Sequence, residues 1–416
     1  MRRTRIAVAA LAAAFSASAC ADTSSSPTAA VLTAKAPAER FQLRVSLYPW
    51  VPDAESLVRW IEADFEASHP TIDLVVRPLN QSYDWMPEYA GDLAYEIDRS
   101  VAALTGGGAD SQHLVEVDAM ILGELAQRGA LAPFGLADAD FLPFAREAVT
   151  YGGVEYGVPH WTCGYFVISE QAGVKQARNA HQLVGTLRDA RTPRVDLVGD
   201  LDGSWDAITV YLDGYRDTWP GRSLQDALAH TELDPAVEAF FRALRPACEK
   251  DGVNHCGSDG VELFATGQAD ALIGYSERLN PILSHPGRSV DGLHVASATL
   301  GGGDHPALFT DALVMSPGCS TARCRDAARQ FAAYYTSDRV FEVVLMSRDV
   351  GPSATPRYLL PSTASAFGHG AVAADPLYQQ LREEIRGGVS FPNHGIPAAR
   401  DRGAIQAELR EALGID

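Results

Sequence analysis

The sequence predicts an α/β protein of two lobes joined by a hinge, with a cleft between them. Three observations carry that expectation. The chain of 416 residues is too long for one ordinary hydrophobic core and suits two domains of typical size. Near its start, a strand, an amphipathic helix and a second strand follow within Gln42–Val76, a βαβ unit that implies a parallel sheet covered by helices. In the middle, Tyr156-Gly157-Val158-Pro159-His160-Trp161-Thr162-Cys163 is a glycine- and proline-punctuated stretch of the kind that carries a chain between lobes, and strand-like Tyr165-Phe166-Val167-Ile168 follows it.

Ahead of these elements, Arg2, Arg3 and Arg5 precede an apolar run from Ile6 to Phe15 that is too short to span a bilayer. Small residues Ser16 to Ala19 then lead to Cys20. Residues 1–19 are expected to be a signal peptide and 20–40 a flexible tether rich in Ser, Thr, Ala and Pro. Cys20 is the expected lipid-attachment point, although Ala17 stands where a lipobox prefers leucine, and simple cleavage after Ala19 is the alternative. The protein is therefore expected outside the cytoplasm, and no later run is apolar enough to be transmembrane. With 46% hydrophobic and 21% charged residues the rest is an ordinary globular chain. A formal charge of −19 argues against a nucleic-acid partner, which needs a basic face, and mildly favours a cationic ligand.

Taken in order, Leu43, Val45 and Leu47 alternate along a first strand, and Tyr48-Pro49-Trp50-Val51-Pro52-Asp53 leaves it as a rigid loop. Asp53 is placed to cap a helix whose Leu57, Ile61 and Phe65 form one buried face, ending near His69-Pro70. Ile72–Val76 is the second strand. Asn80–Gly108 is irregular, with Tyr83, Trp85, Tyr89 and Tyr95 among acidic residues. Its Gly106-Gly107-Gly108 lacks the Gly-Lys-Ser/Thr ending of a phosphate cradle. Strand Leu114–Val117 delivers Asp118 to its carboxyl end, where open α/β sheets bind ligands, and a helix over Ala119–Arg128 stops at Gly129. Beyond the crossover come a strand at Asp196–Gly199, a helix from Gly203 to Tyr215, helices at Pro235–Arg245 and Val261–Thr266, and apolar strands Ala271–Glu277 and Leu308–Met315. Each of those two strands carries an acid, Glu277 and Asp311. The remainder is mostly helical, over Ala327–Thr336, Asp338–Leu345, Leu377–Ile385 and Ala404–Leu413. The lobes are expected to divide as 41–158 and 265–320 in the first, and 159–264 with most of 321–416 in the second.

Five cysteines remain after Cys20, and two bridges among them allow 15 pairings. Cys248–Cys256 and Cys319–Cys324 are the pairs closest in sequence, and together they leave Cys163 free, as filler or as a reactive thiol. His160, three residues away, invites a Cys–His dyad, but such partners usually meet from separate segments, so a structural imidazole is the expectation. A carboxylate from another strand end is the better base for a thiol, and Glu277, Asp118 and Asp311 all fall at or beside such ends. Glu277 beside Arg278 also reads as a plain ion pair, and Asp118 as a helix cap. No zincin-type histidine pair, paired Cys-x-x-Cys or Gly-x-Ser-x-Gly occurs, so no metal, cofactor or serine-hydrolase chemistry is expected.

The order of elements and the Tyr-Gly-Val-Pro crossover resemble an extracellular solute-binding protein, of the type II periplasmic-binding-protein-like class. Within that fold the chain resembles the secreted thiamine pyridinylases, the thiaminase I family. The spaced motifs are Leu47 to Asp53, Ser82-Tyr83, Val117-Asp118, Ala132-Pro133-Phe134-Gly135, Gly157-Val158-Pro159 leading to Cys163, Ile273-Gly274-Tyr275-Ser276-Glu277, and Asp311. The stretch from about Val174 to Gly260 matches only weakly. Trp50 and Phe309 stand where bacterial members carry tyrosine, which keeps aromatic faces and removes hydroxyls, and the Asp84–Gln112 segment is longer.

The resemblance implies Cys163 as nucleophile and Glu277 as base, with Asp118 and Asp311 on the pyrimidine of thiamine and Tyr48, Trp50, Tyr83 and Tyr275 around its flat rings. It implies displacement of the thiazole by an amine, a thiol or water through a covalent cysteine–pyrimidine intermediate, in a monomer. The competing expectations are a non-catalytic binding lipoprotein that passes thiamine or a related pyrimidine to an ABC importer, and a carbohydrate receptor. A receptor has no use for a thiol and a base in its cleft.

Overall fold

A computed structural model describes residues 40–48, 51–78, 97–106, 111–189, 193–203, 205–230, 232–298, 302, 306–394 and 396–415. The expected signal peptide, Cys20, nearly all of the tether, Trp50 and Tyr83 lie outside them. Arg40–Asp416 forms one compact unit.

Two sheets organise it. The first contains β1 (Phe41–Leu47), β2 (Ile72–Pro78), β3 (Leu114–Asp118), β4 (Gly157–Cys163), β10 (Ala307–Met315), β11 (Leu360–Pro361) and β12 (Val389–Ser390), in the order β11-β4-β10-β3-β1-β2, with β12 beside β10. The second contains β5 (Tyr165–Ser169), β6 (Val195–Asp200), β7 (Gly257–Ser258), β8 (Ala269–Tyr275) and β9 (His294–Ser297), in the order β7-β6-β8-β5-β9. β2, β1 and β3 run parallel, as the opening βαβ unit requires, while β10 is antiparallel to both β3 and β4.

The unit opens as its side chains dictate. Leu43, Val45 and Leu47 are buried on alternate positions, and Leu57, Ile61 and Phe65 bury one face of α1 (Ala54–Ser68) against β2. Asp53 does not cap α1 with its side chain, contrary to expectation. It sits in the left-handed region at φ 56°, and its backbone carbonyl accepts the first helical N–H groups instead. The expected helix after Asp118 is a 3₁₀ turn, Ala119–Ile121, followed by α2 (Leu122–Gln127), and Gly129 at φ 67° closes it.

The lobe boundaries need correction. β4 lies wholly in the first sheet, so the chain crosses between sheets at Gly164 rather than at Pro159. A Cβ at Gly164 would stand 2.5 Å from Leu308 Cδ2, so the crossing is tight enough to exclude a side chain without movement. The expected return to the first lobe over 265–320 is also too early. β8 is a central strand of the second sheet, antiparallel to β5 and parallel to β6, and the chain returns only with β10. Its apolar stretch Ala271–Gly274 reads the same in either sheet; only its pairing with Tyr165–Ser169 assigns it. The C-terminal part serves both lobes rather than mainly the second. Helix Ala322–Tyr335 packs on β1 and β11 and β12 extend the first sheet, while Pro376–Glu384 packs on β9. Helix Ile396–Leu413 covers α3 (Asp206–Thr218) and α4 (Pro235–Cys248). Both hydrophobic cores draw on both sheets: Val115 and Val117 cluster with Val167 and Leu197, and Leu43 and Val45 with Phe166 and Leu272.

Cys248 is bonded to Cys256 and Cys319 to Cys324, and Cys163 is the free cysteine among the described residues.

Candidate active site

Where the two sheets face each other they leave a cavity of about 630 Å³, within the range of small-molecule sites. Its lining brings together Cys163, Asp118, Asp311 and Tyr48 from the first sheet and the loop after β1. From the second sheet's side come Tyr275, Glu277 and Asp206. Six expected residues, from five separate segments, thus meet in one space; Trp50 and Tyr83 lie outside the described residues.

Strand register explains the convergence. On β10, Asp311 is directly opposite Asp118 of β3, and Phe309 is opposite Cys163 of β4. The β10–β4 ladder slips between Asp311 and Ala312, which face Trp161 and Pro159, so His160 is the extra residue of a bulge. Trp161 and Cys163 line the cavity, whereas His160 is wholly buried elsewhere. Its ring stacks on Tyr335 at 3.6 Å, and its Nδ1 lies 2.7 Å from Glu116 Oε1. His160 is therefore a structural imidazole, as the sequence suggested. Glu116 itself is a wholly buried carboxylate whose Oε2 accepts the Tyr48 backbone N–H at 2.8 Å, pinning the start of the loop that presents Tyr48.

The cavity carboxyls are protonated more easily than in water. Burial pushes Asp118 up to about 7, opposed by a 2.7 Å hydrogen bond that its Oδ1 accepts from the Met120 N–H. Asp118 is thus a cap and a cavity group at once. Burial pushes Asp311 well above the usual carboxylate range, and the charges of Asp118, Glu116 and Glu277 add to the shift. Two carboxyls facing each other across the ladder disfavour being ionised together, so the pair favours keeping one proton. Glu277 stands in the 3₁₀ turn Ser276–Arg278 after β8; burial raises it and Arg278, which is paired with Asp259 at 3.0 Å, partly offsets that. Burial is also the main cause that holds the Cys163 thiol well above its ordinary value, followed by Asp311, Glu277 and Asp118. Asp118, Asp311, Glu277 and Asp206 against Arg278 make the wall predominantly acidic, which suits a cation.

Tyr275 is held by a 3.1 Å hydrogen bond between its hydroxyl and Thr209 Oγ1. Phe309 stacks on Phe391 at 3.9 Å and lines the cavity. Sequence reasoning missed Glu116, Asp206 and Trp161. A glutamate inside the otherwise apolar Leu114–Val117 run was a readable signal for Glu116. Nothing local marks Asp206, whose place in the cavity depends on how α3 meets β5.

No family model matches the chain. Thiaminase-1 of Paenibacillus thiaminolyticus is 25% identical over 364 residues, 82% of this chain and 81% of the relative. Thiaminase I of Clostridium botulinum, solved in complex with thiamin, superposes with a TM-score of 0.68 at 19% identity, covering 88% of this chain and 100% of that one. The GacH receptor of Streptomyces glaucescens, solved unliganded and with acarbose, gives 0.61 at 16% identity, covering 91% and 100%. The resemblance to the thiaminase I family, on a two-lobed solute-binding-protein fold, thus holds in sequence and in fold.

Proposed function

We propose that the protein is a thiaminase I-type transferase that displaces the thiazole of thiamine with a second nucleophile. The observation that carries this reading is the meeting of a free cysteine, Cys163, with Glu277 and the Asp118–Asp311 pair in one acidic cavity. Thiamine is a cation, and the wall that would hold it is acidic.

In this reading the substrate's charge favours the thiolate that burial and the carboxyls otherwise oppose. Glu277 accepts the Cys163 proton, and the sulfur adds to the electron-poor pyrimidine ring. The asymmetric, singly protonated Asp118–Asp311 pair offers one donor and one acceptor to the amino group and ring nitrogens. The thiazole leaves from the bridging methylene as a neutral ring. An amine, a thiol or water then attacks that carbon, and the cysteine is expelled with the proton Glu277 returns. Tyr48, Tyr275 and Phe309 supply flat faces for the rings. The two disulfides suit an oxidising compartment outside the cytoplasm, and lipid attachment at Cys20 is proposed with it.

The test is thiamine consumption with and without aniline or pyridine, in wild type and Cys163→Ser, read by mass spectrometry. Free thiazole and a pyrimidine–nucleophile adduct from the wild type alone are expected. Tight thiamine binding without turnover in either protein would leave the receptor reading that the GacH-like fold also allows.

A further inference from the structure

In the proposed cycle Glu277 holds the Cys163 proton until the thiolate is expelled and takes it back. The second nucleophile attacks before that expulsion. Pyridine has no proton to lose on bonding, but an N–H or S–H nucleophile does, and Glu277 is occupied when it attacks.

We propose that Asp206 is the acceptor for that proton, a second acid–base group of the same cavity served by the Tyr165 hydroxyl. The inference rests on the transferase reading. With aniline, the nitrogen lone pair forms a C–N bond to the methylene, whose π electrons pass into the pyrimidine ring. The proton on the resulting anilinium nitrogen moves to the Asp206 carboxylate. The ring electrons expel Cys163 as thiolate, which regains its proton from Glu277, and Asp206 releases its own to solvent. Thiamine and aniline thus give adduct, neutral thiazole and one proton.

The geometry around Asp206 is built for two protonation states. It lines the cavity from the first turn of α3. The Tyr165 hydroxyl has one proton and faces two acceptors, Asp206 Oδ1 and, at 3.0 Å, the Asp200 carbonyl. With Asp206 ionised, Tyr165 donates to the carboxylate. With Asp206 protonated, the carboxylic acid donates to the Tyr165 oxygen and Tyr165 turns its proton to Asp200 O. Both states keep the hydrogen bond between the two side chains, so the proton can arrive and leave without orphaning the Asp206 carboxyl or the Tyr165 hydroxyl. The charged groups facing Asp206 are Asp200 at the end of β6 and Arg278 and Glu277 after β8. Burial and Asp200 push Asp206 up to about 6, against Tyr165 and Arg278, so it is ionised at neutral pH yet a proton on it is only slightly uphill.

Wild type, Asp206→Asn and Tyr165→Phe are compared with thiamine and saturating aniline or pyridine between pH 5 and 9. In Asp206→Asn the aniline-to-pyridine ratio of kcat falls about a hundredfold, and the acid limb of the aniline profile near pH 6 disappears; Tyr165→Phe gives a smaller fall in the same ratio. An unchanged ratio in Asp206→Asn overturns the proposal, whether both rates fall together or neither falls. Absence of turnover by the wild type with pyridine overturns the transferase reading and this inference with it.

Discussion

Cys163 is held as a thiol by two causes that a substrate would treat differently. Burial is fixed by the fold, but the negative field of Asp311, Glu277 and Asp118 is what a bound cation cancels. That separation makes the field testable without substrate. Asp118→Asn with Asp311→Asn removes the charge that the facing pair carries between them and keeps the shape of the ladder. Cys163 should then react with iodoacetamide about tenfold faster at pH 8, as about one pKa unit of released field requires. Alkylation kinetics followed by intact mass measure it; an unchanged or slower rate would mean that burial alone controls the thiol. The same double variant should bind thiamine more weakly, read by calorimetry on a Cys163→Ser background.

At the scale of elements, the site depends on where β4 ends. The bulge at His160 turns Trp161 and Cys163 toward the cavity, and Gly164 lets the chain leave the first sheet immediately after the thiol. Gly164→Ala forces its new methyl against the buried Leu308 side chain, 2.5 Å away before relaxation. Overpacking of this kind costs about 1–3 kcal/mol, and a chain that yields by moving Cys163 rather than Leu308 loses turnover as well. Thermal unfolding and kcat measured together decide which side gives way; an unaltered Tm and kcat would show the crossing to be loose. Much of this was legible in the sequence, because alternation in Leu43–Leu47 and four-residue spacing in Leu57–Phe65 are local signals. The residues that converge at the strand ends were legible through spaced motifs. What stayed hidden is non-local: an all-apolar run such as Ala271–Gly274 is silent about its sheet. A bulge, likewise, exists only relative to its partner strand, so neither the lobe boundaries nor Asp206 could be read in line.

For the whole molecule, the cavity acids couple stability to pH in a definite direction. Asp118 is raised to about 7 from an ordinary 3.8, and Asp311 and Glu277 are raised as well. Groups of this sign contribute stability that is fully present below their unfolded pKa and lost as pH rises through the folded one. Between about pH 5.5 and 8 the free protein should therefore lose several degrees of Tm. Asp213, buried beside Asp217 and raised in the same direction, pulls the same way from outside the cavity, as does the overall acidic charge. Two comparisons isolate the cavity's share. In Asp118→Asn with Asp311→Asn the decline should shrink, since the variant keeps Asp213 and nearly all of the surface charge. In Cys163→Ser, which can bind without reacting, thiamine should raise Tm more at pH 8 than at pH 5.5. The cation meets ionised partners at the higher pH, and its binding stabilises only the folded form. Scanning calorimetry at constant ionic strength measures both. Equal stabilisation by thiamine at the two pH values would mean that the acidic wall does not recognise charge, and the cavity would then have to select its ligand by its aromatic faces alone.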